Sequence, residues 1–267
     1  MGDGFLAPGS GLVLGRRATA RAAALDAALD ARAALLGERQ RLDRAALRAP
    51  GRRVLALAVE RTDVPNLLGP ARRELHRSRH AVTVATRPAG GAGKFANLDA
   101  LLAEHPPDGY DWLLVLDDDV AFPHGFLDDF LFLAERFELK LAQPAHRRRS
   151  HAAWRVTRRR AGSVVRETGF VEIGPVCAFH RDTFETLLPY PQLQAGWGLD
   201  SHWAALAQQH GWKIGVVDAT PIRHVMRPIA DSYRRADAMA EAQAFLAERP
   251  YVTAAEAQRT LATHPRW

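Results

Sequence analysis

Short apolar runs alternate with amphipathic stretches along the first half of the chain from residue 52 onward. Four apolar runs that end in polar residues predict strands, at residues 52–60, 80–86, 112–120 and 140–145. Three stretches with apolar positions at helical spacing separate them, at residues 65–78, 95–105 and 123–139. This β-α-β-α-β-α-β order predicts an α/β fold in which helices flank a mostly parallel sheet.

The second half of the chain is less regular. Residues 170–180 and 212–219 resemble strands, and a glycine loop at residues 196–200 leads into a predicted helix. The segment from residue 229 to 267 is predicted to be a helical tail, with two helices separated at Pro250.

The N-terminal part has a different pattern, rich in alanine, leucine and arginine. Residues 16–48 lack proline and carry apolar positions at helical spacing, which predicts one long helix that ends at Pro50. This helix either packs on the surface of its own chain or forms a homodimer, and the sequence leaves both interpretations open. We therefore predict a helical arm at 1–50, a catalytic domain at 51–228 and the tail at 229–267.

Composition excludes several classes of protein. The chain has 267 residues, of which 47% are hydrophobic and 25% charged, so it is not disordered or collagen-like. Its single cysteine, Cys177, excludes a disulfide framework and a cysteine zinc site. No apolar run reaches the roughly 20 residues of a membrane span, and the first residues lack the pattern of a signal peptide. We expect a cytoplasmic protein without a membrane span.

The positive net charge of +6 comes from arginine, since all but three of the 36 basic residues are arginines. GC-rich bacterial codon usage favours arginine and alanine, which weakens an inference of nucleic-acid binding from charge alone. Residues 147–166 hold a dense run of arginines with Trp154 among them. Such a run either contacts nucleic acid or forms a solvated surface, and we expect no nucleic-acid partner.

The strongest chemical signal is a row of three aspartates directly after the strand at 112–116. Side chains alternate along a strand, so Asp117 and Asp119 point to one side and Asp118 to the other. Carboxyl ends of parallel strands are where open α/β sheets bind ligands. Two close carboxylates repel each other unless a cation lies between them, and Mg²⁺ or Mn²⁺ prefers carboxylate and phosphate oxygens. The alternative is that the aspartates merely end the strand.

Two other enzyme classes also place aspartates after an apolar strand. A Walker B strand needs an upstream phosphate loop, but the one candidate has Pro88 at its first glycine position and Phe95 at the Ser/Thr position. A phosphatase of the haloacid-dehalogenase type normally has Thr or Val where this chain has Ala121. The first class is excluded, and the second remains a weaker alternative.

Three further segments carry residues that suit a nucleotide-sugar site. The glycine loop at residues 90–93 allows close backbone approach to a ligand, and Lys94 offers a cation beside phosphate. Asp200 lies between two tryptophans where a loop meets a helix, so it is a candidate general base beside aromatic faces that bind sugars. His224 follows the last strand and is a candidate metal ligand. Each segment also has a structural interpretation. The glycine loop is then an ordinary turn, Asp200 is a helix N-cap between tryptophans that pack in the core, and His224 is a histidine without a ligand.

In this order, the motifs of residues 53–224 resemble a GT-A fold glycosyltransferase, similar to family two. The second half is also similar to an uncharacterised family of plant and bacterial proteins placed among the GT-A transferases. The resemblance implies Asp200 as the catalytic base, and Asp119 and His224 as ligands of Mn²⁺ or Mg²⁺. It implies a nucleotide pocket formed by Lys94, Asn97, Asp117 and Asp118, and a sugar and acceptor side formed by Glu172, Trp197, Gly198 and Trp203.

The function that follows is transfer of a sugar from a nucleotide-diphosphate donor to a hydroxyl of a small-molecule or glycan acceptor. A general base suits a single displacement, which inverts the anomeric carbon, although retention stays open. The alternative is a non-catalytic protein that binds a nucleotide sugar, or nucleic acid through residues 147–166.

Overall fold

The computed structural model describes residues 4–5, 16–225 and 234–267. The strands are β1 (Arg53–Glu60), β2 (Ala81–Pro88), β3 (Trp112–Asp117), β4 (Val120–Ala121), β5 (Leu139–His146), β6 (Val165–Thr168), β7 (Val176–His180), β8 (Lys213–His224) and β9 (Thr260–His264). The helices are α1 (Arg16–Leu35), α2 (Glu38–Ala46), α3 (Leu68–His76), α4 (Lys94–Glu104), α5 (Phe126–Arg136), α6 (Phe184–Leu187), α7 (Leu199–Gln209), α8 (Arg235–Leu246) and α9 (Ala254–Ala257).

The strands of the described residues form one mixed sheet in the order β2-β1-β3-β7-β5-β8-β6-β9, and β4 pairs with β8 beside this path. β1 is parallel to β2 and β3, and β5 is parallel to β8. β7 lies antiparallel between β3 and β5, and β6 lies antiparallel between β8 and β9. The predicted α/β class, with a mostly parallel sheet flanked by helices, is therefore confirmed.

Both faces of the central strands are buried, which explains why β1 and β3 are continuous apolar runs rather than alternating ones. Leu55 and Leu113 contribute to the core beneath α4 and α7, whereas Val54 and Trp112 contribute to the opposite core beneath α3 and α5. Burial of both faces fixes the register, since a slip of one residue would exchange the side chains of the two cores.

The N-terminal arm contains two helices, so the prediction of one continuous helix over 16–48 is wrong. Gly37 has a left-handed backbone, with φ of 62°, and it separates α1 from α2. Glycine adopts this conformation without the steric cost of a Cβ, so the chain turns here. The arm also packs on its own chain, because Asp26 accepts hydrogen bonds from the backbone N–H groups of Arg148 and Arg149 at 3.0 and 2.9 Å. A homodimer through the arm stays a prediction.

The C-terminal segment contains the two predicted helices, α8 and α9, but it is not purely helical. Its last strand, β9, pairs antiparallel with β6 and adds an edge to the central sheet. Five residues give too short a pattern to predict a strand whose partner lies almost a hundred positions earlier. The predicted boundary at residue 229 lies outside the described residues, and the division into an arm, a catalytic domain and a tail stays a prediction.

One buried carboxyl group on α5 makes stability depend on pH. Burial, together with the charge of Asp43 and a hydrogen bond to it, raises the pKa of Asp129 to about 8. The folded state then holds a proton that the unfolded state releases near pH 4, so the free energy of unfolding decreases as pH rises from about 4 to 8.

We expect Asp129→Asn to remove this loss, because the amide can still donate to Asp43 and cannot ionise. At pH 8 the variant is more stable than the wild type by about 1–3 kcal/mol, and the difference nearly disappears at pH 4. Urea unfolding at both pH values measures it. A variant that is less stable at pH 8 would contradict the prediction.

Candidate active site

Strand pairing brings two of the three consecutive aspartates together with His224. β3 ends at Asp117, and the chain then turns into β4, where Val120 pairs with His224 of β8. The candidate ligand atoms of Asp117, Asp119 and His224 all lie within 4.8 Å of one another. This trio is the group predicted from the sequence as the metal and diphosphate site.

The charges within this trio are coupled. Asp119 Oδ1 lies 3.0 Å from His224 Nε2. Burial acts to raise the pKa of Asp119, but the hydrogen bond and the charge of His224, with the charge of Arg61, lower it overall. Burial likewise acts to lower the pKa of His224, but the hydrogen bond and the charge of Asp119 raise it overall. A metal ion bound by this trio would compete with a proton on His224.

Lys94 extends the cluster on the side of the glycine loop. It is the first residue of α4, and its Nζ donates to Asp117 Oδ1 at 2.6 Å. The segment 172–174 closes over this pair, with the carbonyl of Ile173 3.5 Å from Lys94 Nζ. Gly174 allows this approach, since a Cβ there would lie 3.1 Å from Asp117 Oδ2 and 3.3 Å from Lys94 Nζ. Lys94 and Asp117, both predicted as nucleotide contacts, therefore lie next to each other, and their contact with a nucleotide stays a prediction.

Asp200 is the second residue of α7, whose N-cap, Gly198, has a left-handed backbone with φ of 85°. Its carboxylate accepts hydrogen bonds from the backbone N–H groups of Ser201 and Ile173. Burial and the negative charge of Glu172 raise the pKa of Asp200 to about 7. The Ile173 contact connects Asp200 to the same segment that closes over Lys94 and Asp117.

Glu172 is buried beside Asp200, but both of its oxygens already have partners in the protein. His146 Nε2 lies 2.9 Å from Oε2, and the N–H of Ala153 donates to Oε1 at 3.2 Å. Burial acts to raise the pKa of Glu172, but the hydrogen bond and charge of His146 lower it overall. Its charge therefore stays in place and acts on Asp200, and direct sugar binding by Glu172 does not fit these contacts.

Two predicted nucleotide ligands do not join the cluster. Asp118 is not among the grouped ligand residues; it accepts hydrogen bonds from the backbone and guanidinium of Arg61, and it is only 2% exposed. Asn97 is buried, and its amide donates to the carbonyls of Ala92 and Gly93 at 3.1 and 3.0 Å. Asp118 therefore connects the ends of β1 and β3, and Asn97 closes the first turn of α4.

The two tryptophans beside Asp200 have different environments. Trp203 is 2% exposed and packs edge-on against Phe179, with ring centroids 5.0 Å apart. Its indole offers no face to a sugar ring, because helical spacing places position 203 on the core side of α7. Trp197 is only half-buried, and the Arg235 guanidinium lies 5.9 Å from its ring centroid.

Three other residues at the site carry no local signal in the sequence. Arg61 lies 3.8 Å from Asp119 Oδ2 while its guanidinium contacts Asp118. His146 contacts Glu172, and the ring of His151 lies 5.8 Å from that of His224. The Nε2 atom of His151 is buried and has no hydrogen-bond partner among the described residues. Isolated histidines in an arginine-rich stretch carry no recognisable spacing, so only the tertiary structure brings them to the cluster.

The arginine run at 147–166 is largely used inside the protein. Arg147 and Arg159 both pair with Asp30 of α1 at 2.6 Å. Arg166 is buried and pairs with Asp218 at 2.7 Å. These contacts hold α1 against the rest of the chain and join β6 to β8. Fewer guanidinium groups therefore remain for an extended nucleic-acid surface.

Within the described residues, no helix is both long enough and apolar enough to cross a membrane. This result agrees with the absence of a long apolar run in the sequence.

No protein-family model matches the chain, and no curated protein does. Among solved structures it is similar to the catalytic domain of Drosophila β1,4-galactosyltransferase 7 in complex with xylobiose (TM-score 0.46, 14% identity, 69% of this chain and 75% of that chain). It is also similar to S. aureus TarS in complex with UDP-GlcNAc (TM-score 0.44, 10% identity, 68% and 62%). A third is GalNAc-T7 with UDP, GalNAc and Mn²⁺ (TM-score 0.43, 12% identity, 69% and 44%).

Proposed function

We propose that the protein transfers a sugar from a nucleoside-diphosphate donor to an acceptor hydroxyl, with a divalent metal ion at the end of β3. The observation that carries this proposal is the meeting of Asp117, Asp119 and His224 within 4.8 Å. Lys94 adds a cation beside Asp117, and Asp200 supplies a carboxyl group with a pKa raised to about 7 near the same segment.

The donor atoms of the trio fit Mn²⁺ or Mg²⁺. Two carboxylates and one imidazole give mostly oxygen ligands, and Mn²⁺ accepts the nitrogen ligand more readily than Mg²⁺ does. Asp119 and His224 would hold the ion, and Asp117 would contact the nucleotide. When bound, such an ion neutralises the negative charge that develops on a departing diphosphate.

The side chains of the chain supply the other functions of the site. Lys94 would place a positive charge at the edge of the sheet where the diphosphate would lie. Gly174 leaves room for the Lys94 ammonium group, because it has no Cβ. Asp200 takes the proton of the acceptor hydroxyl, and its pKa of about 7 makes it an effective base near neutral pH. One base and one displacement invert the anomeric carbon, and product stereochemistry tests this part of the proposal.

A thermal-shift screen tests the donor and the metal together. We expect one of UDP, GDP, CDP or dTDP to raise the melting temperature in the presence of Mn²⁺, and to lose this effect in EDTA, because only the folded state binds the ligand. Asp119→Asn is expected to abolish the shift. Asp108→Asn, a change at an exposed aspartate remote from the site, is the matched control. If no diphosphate stabilises the wild type with any metal, the proposal is contradicted.

The same site would also serve a protein that binds a nucleotide sugar without transferring it. Binding of the donor in the screen, without product formation on any acceptor or hydrolysis of the donor, would favour this second function. Nucleic-acid binding through residues 147–166 predicts instead an affinity that falls steeply with salt and does not change in EDTA. The ion pairs of Arg147, Arg159 and Arg166 speak against it.

A further inference from the structure

A cavity of about 350 Å³ lies between the N-terminal arm and the sheet. Residues of α1 and α2 form one wall, and the 159–164 loop and residues 218–221 of β8 form the opposite wall. None of Asp117, Asp119, His224 or Asp200 lines this cavity. Its volume is within the range of small-molecule sites.

The walls of this cavity carry an excess of positive charge. Five arginines line it: Arg32, Arg39, Arg147, Arg159 and Arg160. Of the carboxylates in the walls, Asp218 is already balanced by buried Arg166, and Asp129 holds its proton at neutral pH because its pKa is raised to about 8. Among the described wall residues this leaves Asp30 and Glu38, together with Asp43 beside Asp129, against five guanidinium groups. A ligand for this cavity is therefore anionic.

Several hydrogen-bond donors in the walls have no protein acceptor. Arg147 and Arg159 each use one terminal nitrogen on Asp30, and a guanidinium has five N–H groups. The guanidinium of Arg160 makes no hydrogen bond or ion pair within the described part of the chain, and the same holds for Arg32. Converging guanidinium groups with free N–H donors match the geometry of a phosphate.

Thr220 gives an independent indication of a ligand. It is 2% exposed and lines the cavity, and its Oγ1 has no hydrogen-bond partner in the described residues. A buried hydroxyl without a partner is destabilising, so a position with no other use for the hydroxyl would favour valine, which has the same shape. A bound anion would accept this hydrogen bond.

The remaining walls are apolar. Leu42 and Phe126 contribute from α2 and α5, and Val164 and Trp267 from the loop and the chain end. Such walls bind the apolar part of a ligand, whereas inorganic phosphate would leave them without a contact.

We propose that this cavity binds a small organic phosphate, with its phosphate on the arginines and Thr220 and an apolar group against the opposite walls. The cavity is separate from the proposed transferase site and does not depend on it. A ligand here would join the arm to the 159–164 loop and stabilise their contact.

Isothermal titration with phenyl phosphate in EDTA tests this proposal. We expect saturable binding to the wild type, at least tenfold weaker binding to Arg160→Met, and binding weakened severalfold in Thr220→Val. Arg155→Met, at an exposed arginine of the same run that does not line the cavity, is the matched control and keeps the wild-type affinity. Asp119→Asn also keeps it, which separates this cavity from the proposed transferase site.

The unliganded variants give a second measurement. Thr220→Val is expected to melt at the wild-type temperature or above it, because it removes an unpaired buried hydroxyl, while it binds phenyl phosphate less well. If phenyl phosphate does not bind the wild type, the proposal is overturned. It is also overturned if Arg160→Met and Thr220→Val both bind phenyl phosphate with the wild-type affinity. Loss of binding in Asp119→Asn would place the ligand at the transferase site and would overturn it as well. If inorganic phosphate binds as tightly as phenyl phosphate, the ligand needs no apolar group and the proposal is contradicted. If the protein is captured by phosphatidic acid vesicles but does not bind phenyl phosphate, a lipid surface is the ligand and the proposal is contradicted as well.

Discussion

Asp119→Asn is expected to lower the rate of sugar transfer by roughly a thousandfold or more, since metal coordination supplies several kcal/mol and each 1.4 kcal/mol is a factor of ten in rate. Asp119 is the central member of the trio, because it contacts His224 at 3.0 Å and lies on the same side of the chain as Asp117. Asparagine keeps the size of the side chain and an acceptor oxygen for His224, so the loss reports on the charge.

Turnover with a saturating donor, measured over a range of Mn²⁺ concentrations, gives the size of this effect. Asp118→Asn is the control within the same motif, because Asp118 is not one of the three grouped candidate ligands and its carboxylate pairs with Arg61. We expect it to lower thermal stability, with an unchanged Mn²⁺ dependence. Undiminished transfer by Asp119→Asn would end the assignment of Asp119 as the metal ligand.

Asp200→Asn is expected to lower kcat by about a hundred- to ten-thousandfold, the usual contribution of a general base, while donor binding is kept. The amide has the same size as the carboxyl group, and its oxygen can still accept the hydrogen bond from the N–H of Ser201. It cannot take a proton from the acceptor. Equal loss of donor affinity and turnover would show that Asp200 is a structural residue of the α7 N-terminus.

The pH dependence of the wild type gives a second test of the same residue. Because the pKa of Asp200 is raised to about 7, the group is protonated below that pH and ionised above it. A base acts in its ionised form, so the rate is expected to rise with pH up to about 7 and then level off. Asp200→Asn should lose this part of the profile. A wild-type rate that falls as pH rises from 6 to 8 would contradict the role of Asp200 as a base.

Much of the first half of the fold was predictable because its information is local. β1 and β3 are buried on both faces, so their sequences are short continuous apolar runs that need no knowledge of their neighbours. The alternation of side chains along β3 also predicted that Asp117 and Asp119 share a side that Asp118 does not. In the structure β3 ends at Asp117, and it is the turn after it that groups Asp117 and Asp119 with His224 and leaves Asp118 paired with Arg61.

The second half was less predictable, because its contacts join distant parts of the chain. Neither the antiparallel placement of β7 between β3 and β5 nor the pairing of β9 with β6 leaves a local pattern. Trp203 shows the same limit. A tryptophan ring can bind a sugar, but this side chain faces the core of the protein, and its local sequence does not reveal that.

By itself the sequence indicated β1, β2, β3, β5, β7 and β8, most of the helices, and the side chains that could form a metal and nucleotide site, since periodicity and residue chemistry are properties of short segments. Only the tertiary structure decided which of those side chains meet. The pairing of β4 with β8 brings His224 to Asp119, and the segment 172–174 connects Asp200 to Lys94. The folded chain also turned the arginine run inward onto Asp30 and Asp218. These outcomes depend on burial and charge pairing between residues far apart in the chain, which no local pattern contains.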